Sequence, residues 1–294
     1  MNLFYKFLYM YTNLLIEHSD VVDFLSLNIL LQNYSDEIKL NELSEGKFIN
    51  DLESSTFNLD LKQHIVDDLS QLSSSGTIID FYQDQKNKLQ IAISISHLSN
   101  RIVVIFKNLE DEFEWYSNIS TSLINLHDDV FVNTNFHDQL TENTTYYLQR
   151  KLQEISINFP TYQIYFTGYS LGGAISTLAA YIIAREVKSY NIIVVSFGSP
   201  RVGNDKWVDS FKNIDKLTNY RITIDKDILK SLPLLNYKHT GININLEENN
   251  YDVFDENNEY PWYQFSLFNC WNITNRNTTS YLKRLSKNKW SIDI

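Results

Sequence analysis

Apolar residues along this chain gather in short uninterrupted runs, separated by turn residues and alternating with longer helical stretches. Strand-like runs occupy residues 77–82, 89–96 and 101–106 (RIVVIF), each followed by turn-forming residues. Residues 138–157 read as a helix whose apolar face carries Leu140, Tyr147, Leu148, Leu152 and Ile155. A short apolar strand at 163–167 (QIYFT) leads into a strongly apolar helix at 171–187, and strands recur at 191–197 (NIIVVSF) and 219–224 (NYRITI). Strand–helix–strand alternation of this kind predicts an α/β fold, a central mostly parallel sheet flanked by helices.

The chain up to about Leu72 reads as helical, with acidic solvent faces. Leu14, Leu15, Val21, Val22, Leu25 and Ile29 continue an apolar face past Glu17, His18 and Asp20, which predicts an amphipathic helix packed on the main domain. Ser73-Ser74-Ser75-Gly76 reads as a linker. The expected organisation is an N-terminal helical segment, 1–76, packed on one larger domain, 77–294. Residues 246–260 are Asn-rich and acidic and read as a surface excursion.

Composition then narrows the picture. The 294 residues carry a net charge of −11, so a phosphate backbone repels them and nucleic acid is not an expected partner. One cysteine, Cys270, excludes an intrachain disulfide and any CxxC metal site. Abundant Asn, Ile, Lys, Tyr and Phe match AT-rich coding, and at that Asn content the sequons at Asn33, Asn118, Asn143, Asn272 and Asn277 arise by chance. No apolar run approaches the roughly 18 residues needed to span a bilayer. The apolar run at residues 7–16 is short and lacks a small-x-small cleavage site, which favours a cytoplasmic protein, with secretion the second reading.

With 8 glycines in the whole chain, their gathering between Gly168 and Gly203 is informative. Gly168-Tyr169-Ser170-Leu171-Gly172 matches G-x-S-x-G and joins a predicted strand directly to a predicted helix. A serine on such a turn is pushed out above the sheet in a strained backbone conformation. Side chains at 168 and 172 would collide with each other and with the adjacent strand, so glycine is required at both. The helix start aims free N–H groups at a reacting carbonyl, which makes the Leu171 N–H a natural oxyanion donor. After the strand at 219–224, both Asp225 and Asp227 stand where a carboxylate can orient an imidazole.

The segment GYSLGGAISTLAA resembles the nucleophile elbow of the fungal-type (class 3) lipases, which usually reads GHSLGGA, and SFGSPRVGN resembles that family's next strand and turn. The matching motifs run from about Thr77 to Gly241. The resemblance implies an α/β-hydrolase-like fold and hydrolysis of acylglycerols or other lipid esters, at a lipid–water interface, through a Ser–Asp–His triad with no metal or organic cofactor. It assigns Ser170 as nucleophile and selects Asp227, within a D-x-V-P-like step before Leu232-Pro233, as the acid. The family's histidine falls in a late D-H-x-x-Y-like step. Here that stretch reads Asn277-Thr278-Thr279-Ser280-Tyr281, which puts Thr278 in the histidine's place. Threonine cannot accept a proton near neutral pH. No histidine follows His239, so His239 is the substitute candidate, although it matches a structural position of the family. His127 matches the family's V-H-x-G-F step, read as a packed polar residue.

One further departure and one further match follow from the alignment. Family members carry F-R-G-[ST] where this chain reads Phe106-Lys107-Asn108-Leu109, so a backbone N–H at Leu109 remains as second oxyanion donor while the hydroxyl is lost. Trp115 aligns with the lid tryptophan, and Trp115, Ile119 and Leu123 are spaced as one helical face, either of an amphipathic lid or of a surface helix that buries that face in the core. Loss of one oxyanion donor costs about a hundred- to a thousandfold in rate, and loss of a triad member about ten thousandfold. The expectations are therefore a lipase-like serine ester hydrolase or, from another class, a catalytically inactive lipase-like protein that binds lipid or a protein partner. A lipase-fold acyltransferase would need the same base. Chain-length preference and oligomeric state are not legible.

Overall fold

The computed structural model describes residues 16–40, 76–84, 89–108, 122–225, 227, 229–233, 235–254 and 277–290. In chain order the elements are α1 (His18–Leu40), β1 (Thr77–Asp84), β2 (Leu89–Ser96), β3 (Arg101–Asn108), β4 (Leu123–His127) and β5 (Val130–Asn133). They continue with α2 (Thr134–Gln139), α3 (Glu142–Asn158), β6 (Gln163–Tyr169), α4 (Leu171–Glu186), β7 (Ile192–Phe197) and α5 (Asp205–Lys212). The last are β8 (Leu217–Ile224), a short 3-10 turn at Leu229–Ser231, β9 (Ile242–Leu246), β10 (Tyr251–Phe254) and α6 (Thr278–Lys287).

Eight strands form one sheet in the order β1-β2-β3-β6-β7-β8-β9-β10. The run β3, β6, β7, β8, β9 is parallel, while β1, β2 and β10 pair antiparallel at the two sides. All five parallel strands therefore end at one edge of the sheet, where α/β folds place their ligands. A separate two-stranded sheet pairs β4 with β5.

Helices cover both faces of the large sheet, and each face has its own core. On one face Ile91, Ile93, Val104, Phe106, Phe166 and Val194 pack against α2, α3, α4 and α5. On the other, Ala92, Val103, Ile105, Val195, Phe197 and Ile222 pack against α1 and α6. Strands buried on both faces favour apolar residues at successive positions. That is why β3 reads as an apolar run at 102–106, whereas β2, buried at all eight residues, also buries the polar Gln90, Ser94 and Ser96.

Helix α1 lies in the second core, burying Val21, Phe24, Leu25, Leu27, Leu30 and Leu31. Its buried polar residues are partnered. Asn28 Nδ2 donates to Thr167 Oγ1 at 2.8 Å. Arg101, which opens β3, is 1% exposed and donates to Asp20 at 2.5 Å and to Asp23. Removing a guanidinium from water is costly, and two carboxylates from one helix offset that cost and fix α1 on the sheet.

Several elements differ from the expectation drawn from pattern. Leu123 opens strand β4, so the helical face projected through it does not extend that far; Trp115 and Ile119 lie outside the described residues. Within the stretch 246–260 read as a surface excursion, Leu246 ends β9 and Tyr251–Phe254 forms the edge strand β10, while 255–260 lie outside the described residues. The helix expected at 138–157 begins at Glu142, where Thr141 caps it by accepting the Thr144 N–H at 3.2 Å. Leu140, expected on that helix, closes α2.

Candidate active site

The β6–α4 junction is a sharp turn at Ser170. This residue has φ 54° and ψ −121° and is 2% exposed. A side chain held at positive φ costs about 1–3 kcal/mol and persists only where its surroundings enforce it. Here the Ser170 N–H donates to Phe197 O at 2.8 Å, and the Ser170 carbonyl accepts from Gly173 N at 3.0 Å and Ala174 N at 3.4 Å. The backbone crosses closely on both sides. A Cβ on Gly168 would lie 2.2 Å from the Gly172 carbonyl oxygen, and a Cβ on Gly172 would lie 2.2 Å from Phe106 O on β3. The first N–H groups of α4, beginning at Leu171, lack partners within the helix, and the positive end of its dipole points toward the turn.

Two strands away, β8 ends in a turn that carries both candidate carboxylates. Asp225 is half-buried; it pairs with Arg284 of α6 at 3.0 Å, and its N–H donates to Leu246 O at 3.2 Å. Asp227 is 4% exposed, and its Oδ2 accepts a hydrogen bond from the Tyr281 hydroxyl at 2.9 Å. The Tyr281 ring meets Tyr169 and Phe197 edge-on, at 5.9 and 6.2 Å between centroids. One residue of α6 thus touches the ends of β6 and β7 and the carboxylate that follows β8. Ser170 and Asp227 stand at the same sheet edge, and β6 and β8 are roughly 10 Å apart at about 4.8 Å per strand.

Thr278 is the first residue of α6 and is half-buried. It lies one turn before Tyr281, so the two share a helix face. Asn277 caps the helix, accepting the Ser280 N–H at 2.8 Å.

The histidines are placed as follows. His239 is 5% exposed, and its Nε2–H donates to Lys230 O at 2.5 Å. Burial drives its pKa well below the ordinary value, and the nearby Arg221, Arg201 and Lys230 charges push the same way. His127 Nε2 meets the Tyr181 hydroxyl at 2.8 Å, about 16 Å along α4 from Ser170 by helical rise. His97 bonds Tyr162, His137 bonds Asp138, and His18 Nε2 donates to Leu285 O. His64 and Leu109 lie outside the described residues. Among the described residues, no group of His, Cys, Asp and Glu could hold a metal ion, and no helix is long and apolar enough to cross a membrane.

Sequence reasoning passed over Lys230, whose ammonium is buried behind the acid turn, because a single lysine in a turn reads as solvated. Tyr281 is legible in the sequence only as the tyrosine of the D-H-x-x-Y-like step, and its contact with the Asp227 carboxylate comes from the structure.

Comparison with known proteins bears on the family resemblance and the fold. The family model described as Lipase (class 3) matches residues 103–237. A secreted mono- and diacylglycerol lipase of Gibberella zeae is 32% identical over 105 residues, covering 33% of this chain and 26% of the relative. A phospholipase A1 of Arabidopsis thaliana is 38% identical over 105 residues, covering 33% of this chain and 25% of the relative. The matched segments thus span about a quarter of these relatives' length. The crystal structure of a lipase from Rhizopus microsporus var. chinensis superposes with a TM-score of 0.64 at 18% identity, covering 80% of this chain and 76% of that one. A triacylglycerol lipase from Penicillium expansum gives 0.54 at 20% identity, covering 58% and 70%. The fold is that of the α/β-hydrolase lipases, and residues 103–237 carry the similarity to the class 3 lipase family.

Proposed function

We propose that this chain is a lipase-like serine ester hydrolase of lipid esters, acylglycerols first among them, with Ser170 as nucleophile and Asp227 as the orienting acid. The observation that carries the proposal is Ser170 itself. Its strained φ of 54° at a strand-to-helix turn, on the sheet edge that also bears the buried Asp227, is costly geometry with a chemical use. The Leu171 N–H at the start of α4 is the oxyanion donor on the nucleophile's side, and Leu109 the second.

The base position is filled by Thr278, and His239 is read as structural because its ring N–H is spent on the Lys230 carbonyl. A hydroxyl in place of an imidazole lowers turnover about ten thousandfold. The enzyme is therefore slow. Its identity as a lipid-ester hydrolase also draws on the mono- and diacylglycerol lipase and phospholipase A1 names of its relatives.

The test is hydrolysis of short- and long-acyl esters by the wild type and by Ser170→Ala. A wild-type rate above that of the variant supports the reading, and equal rates sink it. The same threonine favours a second reading, a catalytically silent member that binds lipid or a protein partner. Equal rates together with saturable binding of an acylglycerol would select it.

A further inference from the structure

A lysine buried to 8% exposure is unusual, and Lys230 lies three residues after Asp227. Its Nζ donates to Ile224 O at 3.0 Å and to Asn245 Oδ1 at 2.7 Å. Ile224 is the last residue of β8, and its carbonyl also accepts the Asp227 N–H at 3.4 Å. One oxygen thus joins the ammonium to the backbone of the acid. Asn245, on β9, is in turn held by the Thr223 hydroxyl at 3.0 Å. The Lys230 carbonyl takes the His239 N–H. The turn from Ile224 to Ser231 is therefore closed on itself and tied to the neighbouring strand through one side chain.

Lys230 is not placed to act as the missing base. Its Nζ reaches β9, and β9 is three strands from β6, roughly 14 Å across the sheet. Its ammonium donates to two oxygen acceptors, so it acts as a donor. We infer that Lys230 is a positioning residue for Asp227, an ammonium that pins the turn so that the carboxylate meets Tyr281 and faces the serine edge. The inference rests on the reading of Asp227 as the acid.

Burial works against this charge. It lowers the Lys230 pKa to about 8, while the Asp227 and Asp225 carboxylates act to raise it, Arg221 to lower it and Glu247 to raise it. The other titratable neighbour is His239, on the Lys230 carbonyl. A hydrophobic residue of similar length would avoid the desolvation, so the ammonium is retained against that penalty.

The test compares wild type, Lys230→Met and Asn245→Ala, the last removing the anchor while keeping the lysine. Two readouts are taken: the rate at which a fluorophosphonate labels Ser170 between pH 6 and 10, with Thr278→His added to every protein so that Asp227 has an imidazole to orient, and the Asp227–Tyr281 distance in crystals. We expect labelling to fall at least tenfold in both variants. The wild-type rate should decline through about pH 8 as the ammonium loses its proton, and Lys230→Met should lack that limb. In Lys230→Met crystals the Asp227–Tyr281 bond should be broken. Labelling and pH profile unchanged from wild type, with the bond kept at 2.9 Å, would overturn the inference. If wild type takes no label at Ser170, the hydrolase reading fails separately. The crystal distance then decides the role of Lys230 by itself, a displaced Asp227 supporting it and an unmoved one overturning it.

Discussion

Replacing Thr278 by histidine puts an imidazole at the first position of α6, one turn before the tyrosine that holds Asp227. The span between β6 and β8, roughly 10 Å, is what a serine, an imidazole and a carboxylate in line occupy. The exchange should be tolerated, because the cap belongs to Asn277 and threonine and histidine have similar helix propensities. The start of α6 disfavours a cation by about 0.3–1 kcal/mol, while the Asp227 carboxylate favours one. A triad member contributes about ten thousandfold, or about 5.5 kcal/mol. Thr278→His is therefore expected to raise kcat/KM for a short-chain nitrophenyl ester by about a thousand- to ten thousandfold over wild type. The control is the double variant Thr278→His with Ser170→Ala, which should fall back to the wild-type level or below. A folded Thr278→His protein no faster than wild type would refute the reasoning, as would a gain that survives loss of Ser170.

Other expectations concern the scaffold around the site. Tyr281→Phe removes a hydrogen bond to a buried carboxylate and should cost about 1.5–3 kcal/mol in chemical denaturation. Gly172→Ala forces a Cβ onto the β3 backbone at Phe106 and should destabilise by about 1–3 kcal/mol or abolish soluble expression, read by thermal melting. Arg101→Met leaves Asp23 buried without its guanidinium and should cost about 3–5 kcal/mol, with protease cutting first within α1. For Lys230, the folded pKa near 8 lies below the unfolded value near 10.5. Between those values the unfolded chain binds more protons, so stability rises with pH. Wild type should gain up to about 3 kcal/mol relative to Lys230→Met from pH 7 to pH 10, by denaturant titration at each pH.

The central strands were legible because burial on both faces favours apolar runs, and residues 102–106 of β3 show one plainly. The turn at Ser170 was legible because its close backbone crossings admit only glycine at 168 and 172. Strand β9 was not, because its alternate residues Asn243 and Asn245 are polar yet buried, bonded to Thr223 and Lys230. In an Asn-rich chain such residues look like surface. Leu123 has helical spacing from Ile119 but belongs to a strand, since pairing with Asn133 of β5 overrides local periodicity. Choosing between Asp225 and Asp227 needed family resemblance at the sequence level. The structure adds the physical difference: one pairs with Arg284 at half-burial, and the other is buried against Tyr281.

The central claim, that Ser170 is a poised nucleophile at a lipid-ester site, is tested most directly by prolonged exposure of the wild-type protein to a fluorophosphonate, followed by peptide mapping. The account predicts a single adduct, on Ser170, accumulating slowly in wild type and much faster in Thr278→His. No adduct on Ser170 in either protein, or a principal adduct on another residue, would contradict it.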